Sequence, residues 1–195
     1  MALLQIKRTQ HLQRPGRPLG PRRPQRGISL LELCTCAGIS ALLTAAAVPA
    51  FGALQQRQRL YAVSQTLLTD LQHARSAAVL GSDPVHIHFN RTLHGSCYVL
   101  HGGAANQCHC DDGGTPVCSN LAALIKLQWV PETDHVVFQS NVSQMSFQAR
   151  QGTVAKMGTI QLSNANGELI HQIVNIVGRT RACSPAGKLA RYPKC

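Results

Sequence analysis

Arg179 and Arg181 are the side chains whose type and spacing most directly suggest chemistry. Two residues apart in an extended segment, both guanidinium groups leave the same face with their Cα atoms about 6.5–7 Å apart, close to the step between successive phosphates on an extended nucleic acid strand. Gly178, just before them, lets the backbone turn sharply and come close to a ligand, and the forked donors of arginine suit phosphate oxygens. Lys188, Arg191 and Lys194 follow, so residues 178–195 hold five cations and no acid. Contacts of this kind fix a nucleic acid backbone without reading its sequence, and they weaken steeply with salt. Aromatic residues are only 4% of the chain, so few rings are available for base stacking, although Tyr192 sits within the basic tail. The expected binding is weak and sequence-independent. The bland reading of the same cations is a solvated basic surface.

At the other end, Glu32 is an acid set at the start of an apolar run. From Leu33 to Gln56 no side chain is charged. At about 1.5 Å per residue a helix of that length crosses a hydrocarbon core of roughly 30 Å. An unpaired acid beside hydrocarbon costs on the order of 2–3 kcal/mol, so Glu32 requires a partner. Lys7, Arg8, Arg14, Arg17, Arg22, Arg23 and Arg26 precede the run with no acid among them, which holds the N-terminus in the cytoplasm and exports the remainder. Seven of the nineteen Lys and Arg lie in this leader, leaving twelve against eight acids after it. The net charge of +11 thus mostly describes the leader. An ordinary secretory signal cut near Val48-Pro49-Ala50 is the rival reading, but its apolar region would be too long and would begin with an acid.

Export bears on the eight cysteines, because an oxidising compartment favours disulfides. Cys34 and Cys36 fall in the apolar helix and read as small packing residues. Cys97, Cys108, Cys110, Cys118, Cys183 and Cys195 form an even set with about 15 possible pairings, among which the sequence does not choose. A Cys183–Cys195 bond would close the basic tail into a loop. Cys108-His109-Cys110 with Cys97, Cys118 and His101 offers soft metal ligands, but lacks a matched second Cys-x-x-Cys pair, so no metal is expected. His86 and His88 share one face of a strand and read as solvent-facing polar residues. No nucleophile has a recognisable partnered base, and no glycine-rich phosphate loop appears, so neither an enzyme nor a cofactor is expected.

The elements that carry these residues follow from periodicity. Leu60, Val63, Leu67, Leu71, Ala74 and Ala78 recur at helical steps, with Arg57, Arg59, Gln65, Asp70 and Gln72 mostly on other faces. Gly81 and Pro84 end that helix. Val85–Phe89, Cys97–Leu100, Val136–Phe138, Met145–Phe147, Thr159–Leu162 and Leu169–Val177 read as strands. Asn164-Ala165-Asn166-Gly167 is a hairpin turn, and 101–120 a stapled Gly- and Cys-rich loop. The expected class is α+β, a long N-terminal helix on an antiparallel sheet.

The segment Gly27-Ile28-Ser29-Leu30-Leu31-Glu32, followed by the apolar helix and Pro49, resembles the N-terminal signature of type IV pilins and pseudopilins. The resemblance implies cleavage by a prepilin peptidase between Gly27 and Ile28, N-methylation of Ile28, and pairing of Glu32 with the N-terminal amine of a neighbouring subunit. It divides the chain into a cleaved cytoplasmic leader (1–27), a membrane and filament-core helix (28–54) and a periplasmic globular domain (55–195), anchored in the inner membrane and assembled with other pilins into a surface pilus. Leu67 to Ala78 with its Leu-x-x-Ala-Arg, the strand from Val85, and a last hairpin ending in Gly178-Arg179-Thr180-Arg181 resemble the FimT/GspH group of minor pilins and pseudopilins. For FimT-type members the resemblance implies DNA binding in natural transformation. The alternative is a structural pilin or a GspH-like secretion pseudopilin without DNA binding. Pilins often close their C-terminal region with a disulfide, which supports Cys183 with Cys195.

Overall fold

A computed structural model describes residues 27–119 and 123–195. The expected leader, up to Arg26, lies outside the described residues, as does Asn120 at the end of the stapled loop. Helix α1 runs from Leu30 to Leu80 and includes Pro49. It is long and apolar enough to cross a membrane. The chain divides into two units, 1–43 and 44–195. In the described part of the first, Leu30, Leu31, Leu33, Ile39 and Leu42 are exposed, and Glu32 occupies the first helical turn.

In the second unit α1 buries Leu60, Leu67, Leu71, Ala74 and Ala78, spaced by three, four or seven residues so that they form one stripe. Two antiparallel four-stranded sheets supply most of the rest of the core, joined by Val142, Val154, Leu189 and Tyr192 from the connections, which confirms the α+β arrangement. The first has the order β5-β2-β1-β7, built from β1 (Val85–Arg91), β2 (Gly95–His101), β5 (Leu124–Pro131) and β7 (Gln144–Phe147). The second has the order β10-β9-β8-β6, with β6 (Val136–Ser140), β8 (Gly158–Asn164), β9 (Leu169–Val174) and β10 (Thr180–Cys183). Ile87, Tyr98, Leu100 and Phe147 of the first sheet and Phe138, Ile160, Leu162 and Ile170 of the second share one core cluster with the helix stripe.

Several sequence expectations are corrected. Asp70 does not lie on a polar face. It is 4% exposed, receives the Tyr98 hydroxyl at 2.6 Å, and pairs with Lys126 at 2.7 Å. Burial, then the bond to Asp70, pushes the Tyr98 hydroxyl pKa up, so it stays protonated and donating. Strand β5 was absent from the periodicity reading, since Leu124-Ile125-Lys126-Leu127 does not alternate and the strand is a sheet edge.

The stapled loop contains a small hairpin, β3 (Cys108–Cys110) with β4 (Pro116–Cys118). Disulfides join Cys97 to Cys110 and Cys108 to Cys118. Cys97, Val99, Cys108 and Cys110 form a second small core, with Cys118, Leu127 and Trp129 packed against it. His86 is therefore not on a solvent face. It is buried, its ring stacks on His101 with centroids 5.3 Å apart, and its Nε2 donates to the Gly103 carbonyl at 3.1 Å. Burial, and then His101, holds its pKa below the usual histidine range. Burial, then His109 and His101, does the same for His88.

Asn164 to Gly167 makes the hairpin connection between β8 and β9. Gly167 N–H donates to Asn164 O at 3.1 Å and Asn164 N–H to Glu168 O at 3.2 Å, while Glu168 N–H donates to Asn164 Oδ1 at 3.0 Å. Gly167 has φ +72°, the left-handed residue that three-residue hairpin loops place at this point. Glu168 is buried. Its carboxylate accepts from Asn164 Nδ2 at 2.8 Å and from Arg57 Nε at 2.7 Å, which ties the turn to α1.

Candidate nucleic-acid interface

Strand β9 ends at Val174, three residues before the Val177 expected from its apolar run. The chain then reverses and pairs back as β10, so the arginines stand within a hairpin, not after a last strand. The connection repeats the plan of the preceding one. Gly178 N–H donates to Asn175 O at 2.9 Å and Asn175 N–H to Arg179 O at 3.1 Å, and Arg179 N–H donates to Asn175 Oδ1 at 2.9 Å. Gly178 has φ +76°. A Cβ on it would lie 2.0 Å from Gly152 O and 3.0 Å from Arg75 Nε. Glycine is needed here for a packing reason as well as a conformational one. The turn lies against the 148–152 loop and the C-terminal part of α1.

Register sets the direction of the side chains. Thr180 is opposite Val174 and Arg181 opposite Ile173, and opposed residues of an antiparallel pair share a face. Val174 belongs to the core, so Thr180 leans inward and Arg181 stands on the outer face beside Ile173. Arg179 and Arg181 are both exposed. A groove of about 410 Å³ is lined by Ile173, Asn175, Arg179, Thr180 and Arg181. A second, of about 400 Å³, is lined by Gln72, Arg75, Ser76, Gly178, Arg179 and Thr180. Arg179 and Thr180 belong to both. No acid lines either groove.

Three other cations are already partnered. Arg57 pairs with Glu168, Arg59 with Asp134, and Lys126 with Asp70. Among the described residues none of these ion pairs involves Arg75, Arg179 or Arg181. Arg75 Nε donates instead to Gly152 O at 3.3 Å. Sequence reasoning missed Arg75 as a site residue. The available signal was a helical cation four residues before the apolar Val79, but its partner, the turn at Gly178, is about 100 residues distant in sequence.

Lys188, Arg191 and Lys194 form a separate group in the C-terminal loop. A disulfide joins Cys183 to Cys195, and Leu189 and Tyr192 within the closed loop are buried. Tyr192 offers no open ring for a base, because its hydroxyl accepts from Gln65 Nε2 at 3.0 Å and donates to Ser64 Oγ at 3.2 Å. The Arg191 guanidinium lies 5.6 Å from the centre of the Tyr61 ring. Tyr61 precedes the groove residues Gln72 to Ser76 by three to four turns of α1, roughly 16–22 Å at the helical rise. Lys188 and Lys194 are exposed in the same loop. At the other end of the described chain, Gly27 has nothing within 4 Å of where a Cβ would stand, and Ile28 is exposed.

The family model for the type II transport protein GspH matches residues 63–178. That span begins in α1 and ends at Gly178, so Arg179, Arg181 and the tail lie beyond it. No curated protein and no solved structure matches the chain.

Proposed function

Because the chain belongs to the GspH family of type II transport proteins, and so has a pilin or pseudopilin role, we propose that it is a minor type IV pilin of the FimT type that binds DNA at Arg179 and Arg181. The observation that carries this reading is the pair of acid-free grooves meeting at Arg179. Two guanidinium groups that form no ion pair among the described residues flank the first groove, and their forked donors match phosphodiester oxygens. Sequence enters nowhere in such contacts, so binding is sequence-independent and salt-sensitive.

The mounting follows the same reading. A prepilin peptidase cuts after Gly27 and Ile28 becomes the methylated N-terminus. Glu32 meets a neighbouring subunit's amine, and the helix through residue 54 lies in the inner membrane and later in the filament core. Residues 55–195 form the periplasmic domain. The apolar first half of α1 supports this by its length. Lys188, Arg191 and Lys194 are a secondary cationic patch that attracts DNA at longer range.

The test is a gel shift with short labelled DNA and the full chain in detergent, comparing wild type with Arg179→Ala/Arg181→Ala. Retardation is lost in the double variant, while its melting stays within about 0.5 kcal/mol of wild type, as for surface changes generally. Equal retardation by a folded double variant refutes the DNA reading. It would favour the second one, a secretion pseudopilin in which the arginines meet protein, for which the family description itself speaks.

A further inference from the structure

The geometry points to the groove between α1 and the β9–β10 turn as a second phosphodiester site, in which Arg75, Ser76 and Gln72 hold the strand that Arg179 and Arg181 engage. This rests on the DNA reading and assigns it three residues that lie on the helix, far from the basic tail in sequence. It also gives the bound strand a direction: from Arg181 on the outer sheet face, over Arg179, and onto α1.

Four observations carry it. The two grooves share Arg179 and Thr180, so they adjoin at these two residues. Gln72, Arg75 and Ser76 are three or four residues apart, or adjacent, on α1 and face the turn together. Their side chains, with the Thr180 hydroxyl, are hydrogen-bond donors, and no carboxylate competes for them. Finally, Arg75 is held before any ligand arrives. Its Nε is tied to Gly152 O, and its Cγ and Cδ lie close to the backbone at Gly152 and Gly178. A long side chain already restrained this way loses less rotamer freedom on binding. The chemistry of the groove therefore matches an anion of phosphodiester size more closely than an apolar or cationic ligand.

The path also excludes a simpler alternative. A strand running from Arg179 to Arg191 would have to travel three to four turns back along α1, roughly 16–22 Å. The Arg75 groove adjoins Arg179 directly.

Ser76 is exposed and outside the core, so Ser76→Glu places a carboxylate in the groove without disturbing the core. Gln72→Glu does the same one turn earlier. The assay is fluorescence anisotropy of a labelled oligonucleotide titrated with the full chain in detergent, repeated over a salt series. Both variants are expected to weaken binding about tenfold, with the slope of log affinity against log salt smaller by about 0.7–0.9, one phosphate contact. Gln58→Glu, on an exposed position of the same helix well away from the groove, is expected to stay within about twofold. Wild-type binding with Ser76→Glu and Gln72→Glu unchanged in affinity and slope overturns this site and leaves Arg179 and Arg181 in place. Equal weakening by Gln58→Glu overturns it too, because any added negative charge would then suffice. Failure of the wild type to bind removes the DNA reading itself.

Discussion

The two hairpin connections of the second sheet, Asn164 to Glu168 and Asn175 to Arg179, use one backbone plan and end in opposite charges. Each opens on an asparagine whose carbonyl and side-chain oxygen both accept N–H groups from the turn. Each sets a left-handed glycine fourth, at φ +72° and +76°. The residue after the glycine then decides what the turn does. Glu168 turns inward and binds Asn164 and Arg57, making a clasp between sheet and helix. Arg179 stays exposed with no acid beside it. Backbone geometry alone does not distinguish a structural clasp from an open cationic edge, whereas the charge and partner of one side chain do.

The glycines differ as well, and substitution separates them. Gly178→Ala should be the most damaging change, costing about 3 kcal/mol or more. It adds left-handed strain to a Cβ placed 2.0 Å from the Gly152 carbonyl, a backbone atom that cannot swing away. A chemical denaturation midpoint measures it, and a cost no larger than that of Gly167→Ala would show that the close approach is unimportant. Glu168→Ala comes next at about 2 kcal/mol, because the buried Asn164 amide loses its acceptor. If Asn164→Ala/Glu168→Ala proves as stable as Glu168→Ala alone, the stranded amide is not the source of the loss. Gly167→Ala is the mildest of the three, about 1 kcal/mol. Nothing lies within 4 Å of its added Cβ, so only backbone conformation is paid. Arg179→Ala/Arg181→Ala should cost less stability than any of these, within about 0.5 kcal/mol, while on the proposed reading it removes DNA binding, and that inversion is the sharpest form of the contrast.

The same two turns show how far the sequence could be read. Asn164-Ala165-Asn166-Gly167 announces itself, because small and turn-forming residues interrupt an apolar pattern. Asn175-Ile176-Val177-Gly178 does not, since Ile176 and Val177 are β-branched and extend the apolar run of β9. In the structure both are more than half exposed, so a rule equating aliphatic runs with buried strand fails at this tip. Helix α1 was legible from its stripe. Asp70 was not, because its partners Tyr98 and Lys126 lie 28 and 56 residues away, and no local pattern records them. The burial of His86 is hidden for a similar reason: alternation gives the face of a strand, but not the His101 ring and Gly103 carbonyl that meet it there. The sequence suggests Gly178 for close approach to a ligand, whereas the space a Cβ would take there is occupied by the protein's own Gly152 carbonyl. Arg179 and Arg181 were legible as candidates by spacing alone, while Arg75 needed the fold to bring it beside them.

The strand order of the two sheets has a consequence for how the domain comes apart. After β5 in the first sheet the chain supplies β6 to the second, returns with β7 to the first, and crosses again with β8. Neither sheet can be completed from a continuous stretch of chain, so pulling out either one dismantles the other. The unit of residues 44–195 should therefore melt in a single cooperative step rather than sheet by sheet. It also folds against a high loop-closure entropy, as non-local strand pairing requires. The disulfides tie down local loops of 10 to 13 residues and leave that long-range interlacing untouched.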